Sequence, residues 1–128
     1  MKVKLGQIFL SYANLNTLCN FDVPIKLAYK LFPLHQKAGE QYKLIEDLRN
    51  KLIKKYSTQG NAVDQDKIQL FIEEFNQFLQ EETEFDWKVL KIDLNQLEGN
   101  KMSVLALQSL DWALDFSEEV LDGNSSVA

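Results

Sequence analysis

The run from Val23 to Tyr56, VPIKLAYKLFPLHQKAGEQYKLIEDLRNKLIKKY, constrains the fold more than any other segment. Leu27, Leu31, Leu34, Ala38, Tyr42, Ile45, Leu48, Leu52 and Tyr56 form one apolar stripe whose eight steps cover 29 residues. That spacing is the straight α-helical period of about 3.6. A strict heptad would average 3.5 and ask for a supercoil, so the stripe predicts packing inside a domain rather than an extended coiled coil. Asp22 to Pro24 reads as the helix start, with an acidic cap and a proline in the first turn, where its missing N–H costs nothing. Pro33 lies inside the stripe, where an interior proline costs about 3 kcal/mol, and Gly39 weakens the same region. A kink or break near Phe32–Pro33 is therefore expected.

The other segments predict smaller elements. Lys2 to Leu5 alternates with period 2, a short strand ended by Gly6. Ile8, Tyr12, Leu15 and Leu18 predict a first helix closing near Asn20 and Phe21. Ser57 to Asn61 is a loop, after which Asp64 or Asp66 can cap a helix carrying Ile68, Phe71, Ile72, Phe75, Phe78 and Leu79. That helix is the expected antiparallel partner of the long one. Phe85, Trp87 and Val89 alternate, then Leu90, Ile92 and Leu94 alternate on the other parity, predicting a strand with a face change near Val89–Leu90. Its expected mate is the N-terminal strand. Ser103 can cap a last helix bearing Leu107, Leu110, Trp112, Leu114 and Phe116. The expected fold class is α+β, mostly α: an antiparallel helical hairpin packed with a small two-stranded β element formed by the N-terminal strand and a strand near 84–94.

A chain of 128 residues suits one domain, expected over 1–122, with a frayed tail over 123–128. No apolar run approaches the ~20 residues of a membrane span, and the N-terminus lacks a cleavage site, so a non-secreted protein is expected. The single Cys19 cannot form an internal disulfide. Charge is divided: residues 1–60 hold ten basic and four acidic side chains, whereas residues 61–128 hold four basic and fifteen acidic ones. Intramolecular packing of a basic helix beside acidic elements accounts for this pattern, with the Lys51, Lys54 and Lys55 end of the long helix offsetting acids of the second half.

Catalytic chemistry has few residues to use. His35 and Cys19 stand on different expected helices, whereas a Cys–His nucleophile needs direct contact and an orienting group. Two such candidates cannot furnish a zinc site. Glu81, Glu82, Glu84 and Asp86 lack the spacing and central glycine of a calcium loop. The five glycines are scattered, so no phosphate loop exists. One Arg and a pI near 4.9 argue against nucleic-acid binding, and no cofactor or metal is expected. Asp111, Asp115, Glu118, Glu119 and Asp122 gather negative charge near the end. Trp87, Trp112 and Phe116, with Asp115, Glu118 and Glu119, are the residues singled out for contact with a partner, although tryptophans of this kind usually lie in a core.

The order MKVKL, VPIKLAYKL, LIEDLRNKLIKKY, a glycine-containing loop, KIQLFIEEFNQFL and FDWKVLKIDL resembles a family of small tailed-phage and prophage proteins of unknown function. The match runs through most of residues 1–116, with Pro33 and the Trp112–Phe116 segment departing from it. The resemblance implies a phage origin, location in the bacterial cytoplasm or the virion, and a role by protein contact, with no catalytic residues to carry over. Two roles are expected: a virion component or assembly factor, with homo-oligomerisation motivated by the Leu27–Tyr56 stripe, or a host-directed inhibitor whose acidic half binds a bacterial defence or transcription protein.

Overall fold

The computed structural model describes residues 1–117. Glu118, Glu119 and the 123–128 tail expected to fray lie outside the described residues. The chain is α+β and mostly α: β1 (Lys2–Lys4), α1 (Leu5–Cys19), α2 (Ile25–Lys55), α3 (Ile68–Leu79), β2 (Glu82–Glu84), β3 (Leu90–Asp93), α4 (Val104–Gln108) and β4 (Leu114–Ser117). None of the described helices is long and apolar enough to cross a membrane.

The helical hairpin is made by α1 and α2. Phe9 stacks on Tyr42, Tyr12 meets Gly39 and Tyr42, and Asn16 meets His35, a falling register that makes the two helices antiparallel. Leu27, Leu31, Leu34 and Ala38 of the α2 stripe are buried with Ile8, Leu15 and Leu18 of α1. Removing each of these Leu and Ile side chains from water stabilises the fold by about 1.5–3 kcal/mol before ordering costs. The expected partner of α2 was α3; instead α1 covers most of the stripe. The α3 helix reaches the far end of α2, where Lys55 and Tyr56 both bond Glu74.

The expected break at Pro33 is absent, and α2 runs unbroken for 31 residues, about 46 Å at 1.5 Å per residue. Pro33 and Tyr29, whose carbonyl loses its intrahelical donor, are both exposed, so water can take the place of the missing bond. The neighbouring Leu31 and Leu34 stay buried and hold the helix against α1. Gly39 is a packing residue: a Cβ there would lie 3.0 Å from the Tyr12 hydroxyl. Gly6, expected to end the first strand, lies in the first turn of α1, where a Cβ would stand 3.1 Å from the Leu79 carbonyl oxygen.

The β structure is two strand pairs. β1 pairs antiparallel with β2, Val3 opposite Thr83. β3 pairs in parallel with β4, Leu90 opposite Leu114 and Ile92 opposite Phe116. The single strand expected over the 84–94 region is thus interrupted over 85–89, and Phe85, Trp87 and Val89 belong to no strand. Only Glu82–Glu84 mates with the N-terminal strand, and the Trp87 amide turns back to donate to the Phe85 carbonyl at 2.8 Å. The expected last helix is also corrected. Ser103 does cap a helix, accepting from the Ala106 amide at 3.1 Å, but α4 ends at Gln108. Leu110, Trp112, Ala113 and Leu114 are then all buried, which a one-faced helix cannot achieve, and the chain enters β4.

Candidate functional site

The first residues of α2 leave a second apolar face uncovered. Ile25, Tyr29 and Phe32 recur at i, i+4 and i+7, so they stand in one row on the helix surface. They are 82%, 80% and 63% exposed, while Leu27, Leu31 and Leu34 between them are buried. Two faces of one helix are therefore apolar here, one in the core and one in water. Lys26 and Lys30 run along one side of the ridge, both exposed, and neither is ion-paired among the described residues. Single exposed apolar residues need no explanation, but three large ones in a row on a rigid helix do.

A complementary feature lies at the other end of the sequence. Val89, Val104, Leu107, Leu114 and Phe116 line a shallow, open groove of about 450 Å³, together with Asp111 and Asp115. Val104 and Leu105 are 69% and 77% exposed, so α4 also presents apolar surface outward. Asp111 and Asp115 are exposed and unpaired among the described residues.

The residues singled out for partner contact fall in different environments. Trp112 is buried, its ring edge-to-face with Phe85 at 5.4 Å between centroids and its Nε1–H donated to Ser11 Oγ at 2.9 Å. Trp87 is half-buried and donates Nε1–H to the Ala113 carbonyl at 2.9 Å. Both indole donors are thus used inside the fold, where they join the 85–90 segment and the 112–114 segment to their neighbours. Phe116 is half-buried at the groove and Asp115 is exposed beside it. The structure therefore brings Asp115 and Phe116 together and places Trp112 in the core. The Ile25–Tyr29–Phe32 ridge was missed, although its i, i+4, i+7 spacing was visible beside the dominant stripe.

Cys19, His35, Ser11, Lys37 and Asp64 are engaged within the fold. Cys19 and His35 share the wall of a pocket of about 240 Å³. Burial pushes the Cys19 thiol up to about 11, away from the thiolate that a nucleophile requires. His35 Nε2 lies 2.9 Å from Asn16 Oδ1 and 3.4 Å from the Tyr12 hydroxyl, and its ring stacks on Tyr12. A further cavity of about 470 Å³ between α1, α3 and the turn after α4 is lined by Lys4, Gln7, Ser11, Asn76, Gln80, Gln108 and Trp112 among others. Ser11, its buried hydroxyl, donates to the Gln7 carbonyl and accepts from Trp112, so it is not free to be activated. Lys37 pairs with Asp86 at 3.3 Å, and Asp64 accepts from both the amide and the hydroxyl of Thr58, which holds its carboxyl low. No group of three or more His, Cys, Asp or Glu among the described residues is placed to hold a metal.

The expected acidic cap of α2 is displaced. The Asp22 backbone is bonded in both directions by the Asn100 side chain, and Pro24 itself occupies the α2 cap position. The Lys54–Lys55 end of α2 meets Glu74 of α3, so part of the basic surplus is neutralised inside the hairpin region. The fold is an α+β domain with two exposed apolar surfaces, one beside Lys26 and Lys30 and the other beside Asp111 and Asp115. No protein-family model matches the chain, and no curated protein and no solved structure matches it.

Proposed function

We propose that this protein works by binding another protein through the Ile25–Tyr29–Phe32 ridge of α2, without catalysis. The observation that carries the reading is the exposure of these three side chains, 82%, 80% and 63%, in one row on a helix whose opposite face is locked into the core. A rigid, preorganised aromatic ridge loses little entropy on docking, and aromatic anchors dominate binding energies at protein interfaces. A non-enzymatic role is supported by the protonated Cys19 thiol and by the internal use of the Ser11 hydroxyl. The resemblance to small phage proteins directs this binding role to a virion component or assembly factor.

A second reading, a host-directed regulator acting through the acidic half, is supported by the apolar groove edged with Asp111 and Asp115. The two readings use different surfaces, so one experiment separates them. Tagged wild-type protein, a Tyr29→Ser/Phe32→Ser variant and an Asp111→Asn/Asp115→Asn variant are compared for retained proteins, with circular dichroism confirming equal folding. The ridge reading expects retention to vanish with the first variant and survive in the second. Retention that survives the ridge substitutions and vanishes with the acidic ones supports the regulator reading instead.

A further inference from the structure

We infer that the partner of the α2 ridge is a second copy of the same chain, whose α4–β4 groove receives it. This rests on the docking role proposed for the ridge and names its occupant. The ridge is apolar and aromatic, with Lys26 and Lys30 in a parallel row along one side of it. The groove is shallow and open, apolar at Val89, Val104, Leu107 and Phe116, with Asp111 and Asp115 in the same lining. Apolar surface is matched with apolar surface, and cation with anion, in one sequence. The groove, at about 450 Å³, has room for an aromatic side chain of the ridge.

Charge decides between the ways two copies can meet. Ridge against ridge would be isologous and would bring lysines of both copies together around Tyr29. Ridge against groove sets Lys26 and Lys30 of one copy toward Asp111 and Asp115 of the next, charges that have no ion-pair partner among the described residues. A nucleic acid or an anionic lipid surface could use the lysines but would be repelled by the carboxylates and leave the groove empty. The contact is heterologous, so assembly closes into a ring, a dimer if both contacts form at once, or continues as a chain. Three ridge side chains cover less than the roughly 800 Å² per partner of a standard interface. The association is therefore weak, concentration-dependent and weakened by salt.

Sedimentation equilibrium of the full chain and two charge-swapped variants tests this. Wild type should show an average mass that rises above 14.8 kDa with concentration and falls back in high salt. Lys26→Glu/Lys30→Glu and Asp111→Lys/Asp115→Lys should each stay near 14.8 kDa, and an equimolar mixture of the two should regain the rise. Recovery in the mixture also shows that both variants are folded. A milder pair, Tyr29→Ser and Val104→Ser, should each weaken the wild-type rise. A wild type that remains monomeric, variants that associate as well as wild type, or a mixture that fails to recover overturns self-docking. If monomeric wild type still retains another protein through Tyr29 and Phe32, the docking role stands and only the choice of partner falls.

Discussion

The indole Nε1 of Trp112 donates to the buried hydroxyl of Ser11 at 2.9 Å, joining residues 101 positions apart. The Ser11 hydroxyl in turn donates a hydrogen bond to the Gln7 carbonyl in the same helix. This short relay fixes the approach to β4 against α1, and so fixes one wall of the acidic groove.

Ser11→Ala removes the acceptor and leaves a buried indole N–H unpaired, a loss of about 1–3 kcal/mol. Urea unfolding should show a lower midpoint with an unchanged slope. A change within a few tenths of a kcal/mol, expected for a surface serine, would mean that the relay does not hold the segment.

Gly39→Ala sets two effects against each other. Alanine favours a helix interior over glycine by about 1 kcal/mol, but its Cβ would stand 3.0 Å from the Tyr12 hydroxyl, in a ring confined by His35 and Tyr42. The clash should win, making Gly39→Ala destabilising. In a Tyr12→Phe background the nearest remaining ring atom is 3.6 Å away, ordinary contact, and the same substitution should stabilise. An identical effect in both backgrounds, read as a double-mutant cycle, would reject the packing role of Gly39.

The Lys55–Tyr56–Glu74 cluster ties α2 to α3 and predicts two pH limits. The hydrogen bond from Tyr56, then that from Lys55, holds the Glu74 carboxyl below its ordinary value of 4.5. The bond to Glu74 raises Lys55 above 10.5 and Tyr56 above 10.0. A lowered carboxyl stabilises the fold above its unfolded value, and that contribution is lost as pH falls through the folded one. Raised Lys and Tyr groups stabilise the fold below their unfolded values, and this is lost as pH rises through the folded ones. Thermal midpoints should decline below 4.5 and again above 10, and Glu74→Gln should reduce both declines. Unaltered limbs in that variant would place the pH dependence elsewhere.

Cys19, with its thiol pushed to about 11 by burial, should react slowly with disulfide reagents at neutral pH in the native protein and rapidly in urea. Native labelling as fast as unfolded labelling would show the thiol to be accessible and ionised, and would reopen the Cys19–His35 pocket as a chemical site.

The main helical scaffold was legible in the sequence because each helix has one strong stripe. Leu27, Leu31, Leu34, Ala38 and Ile45 are buried where the 3.6 period put them. What stayed hidden depends on pairing between distant segments. Leu107, Leu110 and Leu114 have helical spacing, yet the last of them belongs to β4, whose parallel partner β3 lies some twenty residues earlier. A local pattern carries no record of that pairing. Pro33 does not interrupt α2 although it lies inside the helix: its exposed position lets water satisfy the freed carbonyl, while Leu31 and Leu34 hold the helix against α1. The homo-oligomer expectation came from the Leu27–Tyr56 stripe, much of which is used inside the fold. The free face is Ile25, Tyr29 and Phe32, two positions away on the same helix.

The central claim is that this ridge touches protein. A photo-reactive phenylalanine analogue placed at Tyr29, with the same analogue at the exposed Asn50 on α2 as control, reads that contact directly. Illumination in cells should give discrete protein adducts from position 29 and none from position 50. Adducts absent at position 29, or equal at both positions, would contradict the account.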